Sequence, residues 1–441
     1  MIILGTGLIE CIMSGLMSVD GKKVLHMDKN DYYGGAAASL TLDQFFKRFN
    51  AAKSGDNLPA ALGSARDYNI DLIPKFVMAK GGLVKILLHT RTTHYLDFAK
   101  VDSSYVNAKG RVAKVPVTAA EALASPLMGM FEKRRMKKLL DYIIQYDPDD
   151  AATHDGRDLK TMPMSELYEF YSLDDGTQMF MGHATALHRD DAYLTKPAES
   201  TVLRMKLYAE SLMMYGDTPF IYPLYGLGDL PQAFARLSAV YGGTFMLDTP
   251  FNGVNAGADG KPVGINTVID GKDAVLSGKA IFASPDYFPE KCQEVGKVVR
   301  CYCILDHPPA GIPGQEASGQ LIIPGNEVGR KSDVYVLWMG DSHKVAAEGK
   351  WIALVSTNAE KPDPEQDIAP GLALIGPTLE KYTAIDPLLV PNGDGSDDGI
   401  FLSRSYDSTT HFETTVVNCM ELYKQYAGVD LVLTNPEQAD A

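Results

Sequence analysis

The chain opens on side chains whose types and spacing could hold a nucleotide. Gly5-Thr6-Gly7-Leu8-Ile9-Glu10 follows the apolar run Ile2-Ile3-Leu4, and Asp28 closes Lys22-Lys23-Val24-Leu25-His26-Met27. A glycine turn between strand and helix lets backbone amides approach a pyrophosphate, and an acid ending the next strand meets a ribose, so the pattern is a dinucleotide site. Glu10 stands where the third glycine belongs. An anion about 5 Å from a phosphate costs on the order of 3 kcal/mol at an effective dielectric near 20. That is more than roughly a hundredfold in affinity. Glu10 can itself satisfy the positive end of the helix. We expect the fold to be kept, the turn (Gly5, Gly7, Glu10, Asp28) to be vestigial, and no cofactor to be bound.

Other candidate sets are weaker. Asp28 followed by the Gly34-Gly35 pair resembles what flavoproteins of the amine-oxidase type place there, an acid and then two glycines, so a flavin enzyme is the competing reading. Ser405-Tyr406-Asp407-Ser408-Thr409-Thr410-His411-Phe412-Glu413 holds serine, histidine and acids together. Catalytic triads are assembled in space, so closeness in sequence is no argument for one; the cluster reads as capping for a final helix over 413–426. Cys301-x-Cys303 lies in an apolar run and reads as one face of a packed strand, without zinc-type spacing. The acidic turn at 392–399 lacks the glutamate of a calcium loop. The run Lys133-Arg134-Arg135-x-Lys137-Lys138 reads as a solvated helix face. No metal site is expected.

The elements that position these residues are legible in outline. Strand, turn, helix carrying Leu8, Ile9, Cys11, Ile12, Leu16 and Met17, and second strand make a βαβ unit. From Thr118 the pattern turns helical: Thr118-Ala119-Ala120-Glu121 is a capping box, Ser125-Pro126 a second helix start, and residues 127–146 and 197–215 are long helices. Gly216 closes the last one. The aromatic stretch 219–228 reads as a loop, and Asp229 as the N-cap of a helix running through Arg236. We therefore expect a discontinuous flavoprotein-like α/β domain, 1–117 and 219–441, interrupted by an all-helical domain at 118–218. Ten of the 18 methionines fall in that insert, giving it an adaptable apolar surface.

Composition narrows the function. With 41 basic and 56 acidic side chains the formal charge is −15, which argues against nucleic acid as partner. Five scattered cysteines fit a reducing compartment. No apolar run reaches a bilayer's width, and neither a secretory signal nor a prenylation box is expected at the ends.

Taken together the motifs resemble one family. Gly5-Thr6-Gly7-Leu8-Ile9-Glu10-Cys11, Tyr32-Tyr33-Gly34-Gly35, Asp71-Leu72-Ile73-Pro74-Lys75-Phe76, Leu127-Met128-Gly129-Met130-Phe131-Glu132-Lys133-Arg134-Arg135, Tyr222-Pro223-Leu224-Tyr225-Gly226-Leu227-Gly228, Tyr241-Gly242-Gly243-Thr244 and the 405–415 block are similar to the Rab GDP-dissociation inhibitor family. The resemblance implies a non-catalytic regulator that binds prenylated, GDP-bound Rab GTPases. Such a protein slows GDP release, extracts Rabs from membranes and recycles them through the cytosol in vesicle trafficking. A Rab escort protein is the near alternative, although that class is usually longer.

The same resemblance implies site residues. Tyr33, Arg66, Asp229, Arg236, Thr244 and Met246 would form the Rab platform, with Asp229 standing where the family generally has glutamate. Tyr105, Val106, Val112 and Val115 would grip the Rab C-terminal tail. Met128, Phe131, Met136, Leu139 and Ile143 would line a geranylgeranyl pocket. Tyr215, Gly216 and Phe220 would belong to a mobile loop touching membrane or Rab. The expected protein is cytoplasmic, transiently at membranes, and a monomer or a 1:1 complex with Rab.

Overall fold

The computed structural model describes residues 1–50 and 58–434. Its centre is a five-stranded parallel sheet in the order Thr244–Met246, Leu25–Met27, Ile2–Leu4, Ile281–Ala283, Ile400–Leu402. Strands buried on both faces read as unbroken apolar runs, as Ile2–Leu4 does. The opening helix Leu8–Val19 is buried along almost its whole length, between this sheet and helices Asp229–Val240 and Glu413–Ala427. Gly15 makes that approach possible: a Cβ there would sit 2.9 Å from the Phe234 ring. Ser14 and Ser18 bond the Ser238 hydroxyl at 3.1 and 2.7 Å across the same seam.

A seven-stranded sheet forms the second layer, in the order Glu380–Pro391, Cys292–Leu305, Trp351–Asn358, Val334–Gly340, Ser318–Ile323, Ser103–Ala108, Arg111–Lys114. Its pairs are antiparallel except Ser318–Ile323 with Ser103–Ala108. Cys301 and Cys303 share one face of it, buried, with sulfurs 3.9 Å apart. Among the described residues between 119 and 215 there are helices and turns but no strand: Ala119–Ala124, Met130–Gln145, Met164–Phe170, Asp175–Met179, the π-helical turn Phe180–Thr185, and Ala198–Tyr215.

Several expectations are corrected. Ser125 ends helix Ala119–Ala124 instead of starting one, its hydroxyl accepting from the Leu127 amide at 3.3 Å, and the next helix begins at Met130. Thr118 caps as expected, yet the Glu121 carboxylate accepts from the Val117 amide at 2.9 Å, one residue before the cap. Asp229 is the first helical residue and does not cap. The stretch read as a loop contains the buried strand Phe220–Pro223, paired with Val77–Met78 and Phe98–Lys100, because its aromatics fill the core. The 405–413 cluster does not cap the final helix, whose N-cap Phe412 has no side-chain bond.

Candidate functional site

Two sites grow out of the parallel sheet. The first is the glycine turn. Gly5 adopts φ +95, and a Cβ on it would meet the Ser284 hydroxyl at 2.7 Å, so glycine is required. Asp28 is consumed internally: one carboxylate oxygen accepts from the Thr6 amide and hydroxyl at 2.6 and 2.5 Å, the other from the Asn30 amide and side chain at 2.8 and 2.9 Å. The Glu10 carboxyl folds back over the turn, taking a hydrogen bond from the Ser403 hydroxyl at 2.6 Å. Its second oxygen lies only 2.4 Å from where a Cβ on Gly7 would stand. The Tyr406 hydroxyl covers the helix N-terminus, accepting from the Leu8 amide at 3.2 Å.

Glu10 and Tyr406 thus occupy the seat of a pyrophosphate, and Asp28 has no acceptor to spare for a ribose. A cavity of about 350 Å³ remains beside them, lined among others by Arg48, Arg300 and Tyr302. A dinucleotide does not fit this seat. Burial raises the Glu10 pKa to about 7, only partly opposed by Ser403 and its own backbone. The carboxyl therefore excludes phosphate by its volume over the turn as well as by any charge it carries. Tyr406 is the contributor that sequence reading missed.

The second site is an open groove of about 430 Å³ on the outer side of helix Asp229–Val240. That helix turns Phe234, Leu237 and Ser238 inward and leaves Asp229, Gln232, Arg236 and Ala239 along the groove. Tyr33 arrives from the segment after Leu25–Met27, Tyr95 from the turn Thr92–Tyr95, and Phe245 from the edge strand. Phe245 stacks on His26 at 4.7 Å between ring centroids and stands 6.3 Å from Tyr33. The Arg236 guanidinium lies 4.5 Å over the Tyr95 ring centroid. Burial raises the Asp229 and Tyr33 pKa values. Rings, small alanines and one exposed cation make a surface suited to gripping a protein.

Tyr33, Asp229 and Arg236 therefore converge from separate parts of the chain. Thr244 and Met246 do not line the groove: side chains alternate along a strand, so with Phe245 facing it, its neighbours face away, and Met246 packs against the core cluster that includes Leu4 and Met27. Arg66 is exposed in the turn Ala65–Asp67, outside the groove. Tyr95, Gln232 and Phe245 were missed; strand alternation is the signal that could have found Phe245.

The remaining predicted residues fall elsewhere. Tyr105, Val106 and Val115 are core residues, the Tyr105 hydroxyl bonded to Glu316 at 2.8 Å, and only Val112 is half-buried, so they form no surface strip. Met136, Leu139 and Ile143 lie on the buried face of helix Met130–Gln145, while Phe131 is 80% exposed on another face and Met128 is half-buried. The packed three and the solvent-facing Phe131 do not share a lining. Tyr215 and Gly216 are exposed at the end of helix Ala198–Tyr215 with Met213 and Met214, but Phe220 is fully buried in its strand.

The 405–413 cluster builds a charge network instead of a catalytic set. Buried Lys75 donates to Asp407 at 2.6 Å and to the Thr409 carbonyl at 2.5 Å; Asp407 also accepts from the Thr409 and Thr414 hydroxyls. Burial would raise the Asp407 pKa, but Lys75, the Thr409 hydroxyl and Arg189 hold it well below the carboxylate range. Burial and nearby cations push His411 down to about 3, and neither ring nitrogen has a hydrogen-bond partner among the described residues, so no serine is activated by it. No group of side chains suited to a metal ion occurs among the described residues.

The family model described as GDI, GDP dissociation inhibitor, matches residues 1–438. The chain is 50% identical to guanosine nucleotide diphosphate dissociation inhibitor 1 of Arabidopsis thaliana, over 98% of this chain and 96% of that protein. It is 47% identical to the Rab GDP-dissociation inhibitor of Saccharomyces cerevisiae, over 100% and 97%. A crystal structure of Rab GDI from Plasmodium falciparum superposes with a TM-score of 0.91 at 40% identity, covering 98% of both chains. An oxidoreductase from Methanosarcina mazei, at 13% identity and a TM-score of 0.59 over 96% and 99%, shares the fold alone.

Proposed function

The chain belongs to the GDP dissociation inhibitor family, and we propose that it binds Rab GTPases in their GDP-bound state, slows release of the nucleotide and carries the Rab between membranes. It acts by binding, without turnover. The observation that carries this reading is the convergence of Tyr33, Asp229 and Arg236 on one open groove beside a sheet whose nucleotide seat is plugged by its own side chains.

In this reading the body, residues 1–117 and 219–441, supplies the Rab platform, and residues 118–218 hold the prenyl group. A chain of about 20 carbons gains on the order of 10–16 kcal/mol on leaving water, and the bilayer supplies a similar gain. A lipid pocket alone therefore extracts nothing. The surplus comes from the groove, which adds affinity only when GDP leaves the Rab switch segments in their relaxed state. Platform and pocket joined in one molecule act bivalently. Leu139 and Ile143 are packed against the bundle, so lipid entry requires helix Met130–Gln145 to move. The exposed Met213, Met214 and Tyr215 suit a transient membrane contact made by a cytoplasmic, monomeric protein.

The test is extraction. Membranes carrying prenylated GDP-loaded Rab are incubated with the protein and Rab is measured in the supernatant. Wild type should release it, and Arg236→Ala should lower both extraction and solution affinity by about tenfold or more. Extraction undiminished while solution binding falls would overturn the coupling of platform to pocket.

A further inference from the structure

We infer that Tyr95 is a positioning residue for Arg236, holding the guanidinium plane in the orientation in which the groove receives its partner. The inference rests on the reading of this groove as the Rab-facing surface. Arg236 is exposed, and among the described residues no carboxylate lies within ion-pair distance of it. A long side chain in that situation samples many rotamers and loses that freedom on binding. Here the guanidinium rests 4.5 Å from the Tyr95 ring centroid, close enough for the negative face of the ring to hold the cation.

The ring is itself fixed. Tyr95 ends the turn Thr92–Tyr95, whose first residue is buried and bonded to the Thr90 hydroxyl at 2.6 Å. It packs against the main core, and the chain continues into strand Phe98–Lys100, paired with Phe220–Pro223. The Tyr95 ring holds the guanidinium from one side, and among the described residues no hydrogen bond engages its N–H groups. An aromatic platform tied to one sheet thus aims a cation standing on a helix of another.

The experiment measures the affinity of purified full-length variants for prenylated GDP-loaded Rab, with thermal unfolding of each variant alongside. Tyr95→Leu and Tyr95→Met, which lack a π face, should weaken binding by about 3- to 10-fold. Tyr95→Phe, which keeps the face and loses only the hydroxyl, should bind within about twofold of wild type. On an Arg236→Ala background, Tyr95→Leu should cost nothing further, because the group it positions is gone. A general structural role would persist on that background and would not be rescued by phenylalanine.

The inference is overturned if Tyr95→Leu and Tyr95→Met bind like wild type, if Tyr95→Phe is as weak as they are, or if their loss is undiminished without Arg236. Should Arg236→Ala itself leave Rab binding intact, the groove is not the platform, and the positioning role falls with it. A loss with Arg236→Ala but none with either apolar Tyr95 variant removes the positioning role alone.

Discussion

At Glu10 the balance of burial against hydrogen bonding has a measurable consequence. Burial lifts its pKa from 4.5 to about 7. The folded chain then binds more protons than the unfolded one between those values, so stability falls as pH rises through that window and levels off above it. Glu10→Gln removes the titration while leaving an oxygen for the Ser403 hydroxyl. In urea unfolding, the variant should gain on wild type between pH 5 and pH 8 by a few kcal/mol, on the order of 1.4 kcal/mol per pKa unit. Parallel pH curves would show that the buried carboxyl is not under strain. Glu10 itself was legible, since a carboxylate replacing a turn glycine stands out locally. Tyr406 was not, because it lies 398 residues from the amide it covers and nothing local marks that contact. Lys75 was equally silent, a buried cation whose counter-charge comes from the far end of the chain.

Elements carry these residues to the groove, and their packing sets its position. Helix Asp229–Val240 is seated against the opening helix through Gly15 and Phe234. Gly15→Ala gains helix propensity of about 1 kcal/mol but forces the Phe234 ring outward, an overpacking cost of about 1–3 kcal/mol. The expected net result is a lower thermal midpoint and a groove helix displaced enough to weaken Rab binding; a midpoint at or above that of wild type would show that the seam is slack. Elements of regular period were readable: the opening βαβ unit and helix Ala198–Tyr215 with Gly216 after it follow directly from pattern. Strand Phe220–Pro223 was not, because prolines and aromatics in a short run look the same in a loop and in a buried strand. Nor was the face of strand Thr244–Met246, which three residues are too few to declare.

At the scale of the molecule, the helical stretch is fastened to the large sheet by charge. His183, on the π-helical turn Phe180–Thr185, bonds Asp333 at 2.7 Å through Nδ1 and Asp191 at 3.0 Å through Nε2. Burial alone would depress its pKa, but the two carboxylates outweigh burial and raise it from 6.5 to about 9. The stabilisation is complete below the unfolded value of 6.5 and is lost as pH climbs through about 9. His183→Gln, which cannot carry the charge, should be less stable than wild type at pH 6 and approach it above pH 9 by denaturant unfolding. A gap independent of pH would mean the imidazole is neutral.

The plugged turn has a consequence for the order of assembly. Glu10 is held by Ser403 and the Leu8 amide by Tyr406, so this corner closes only after the last tenth of the chain has docked against the first helix.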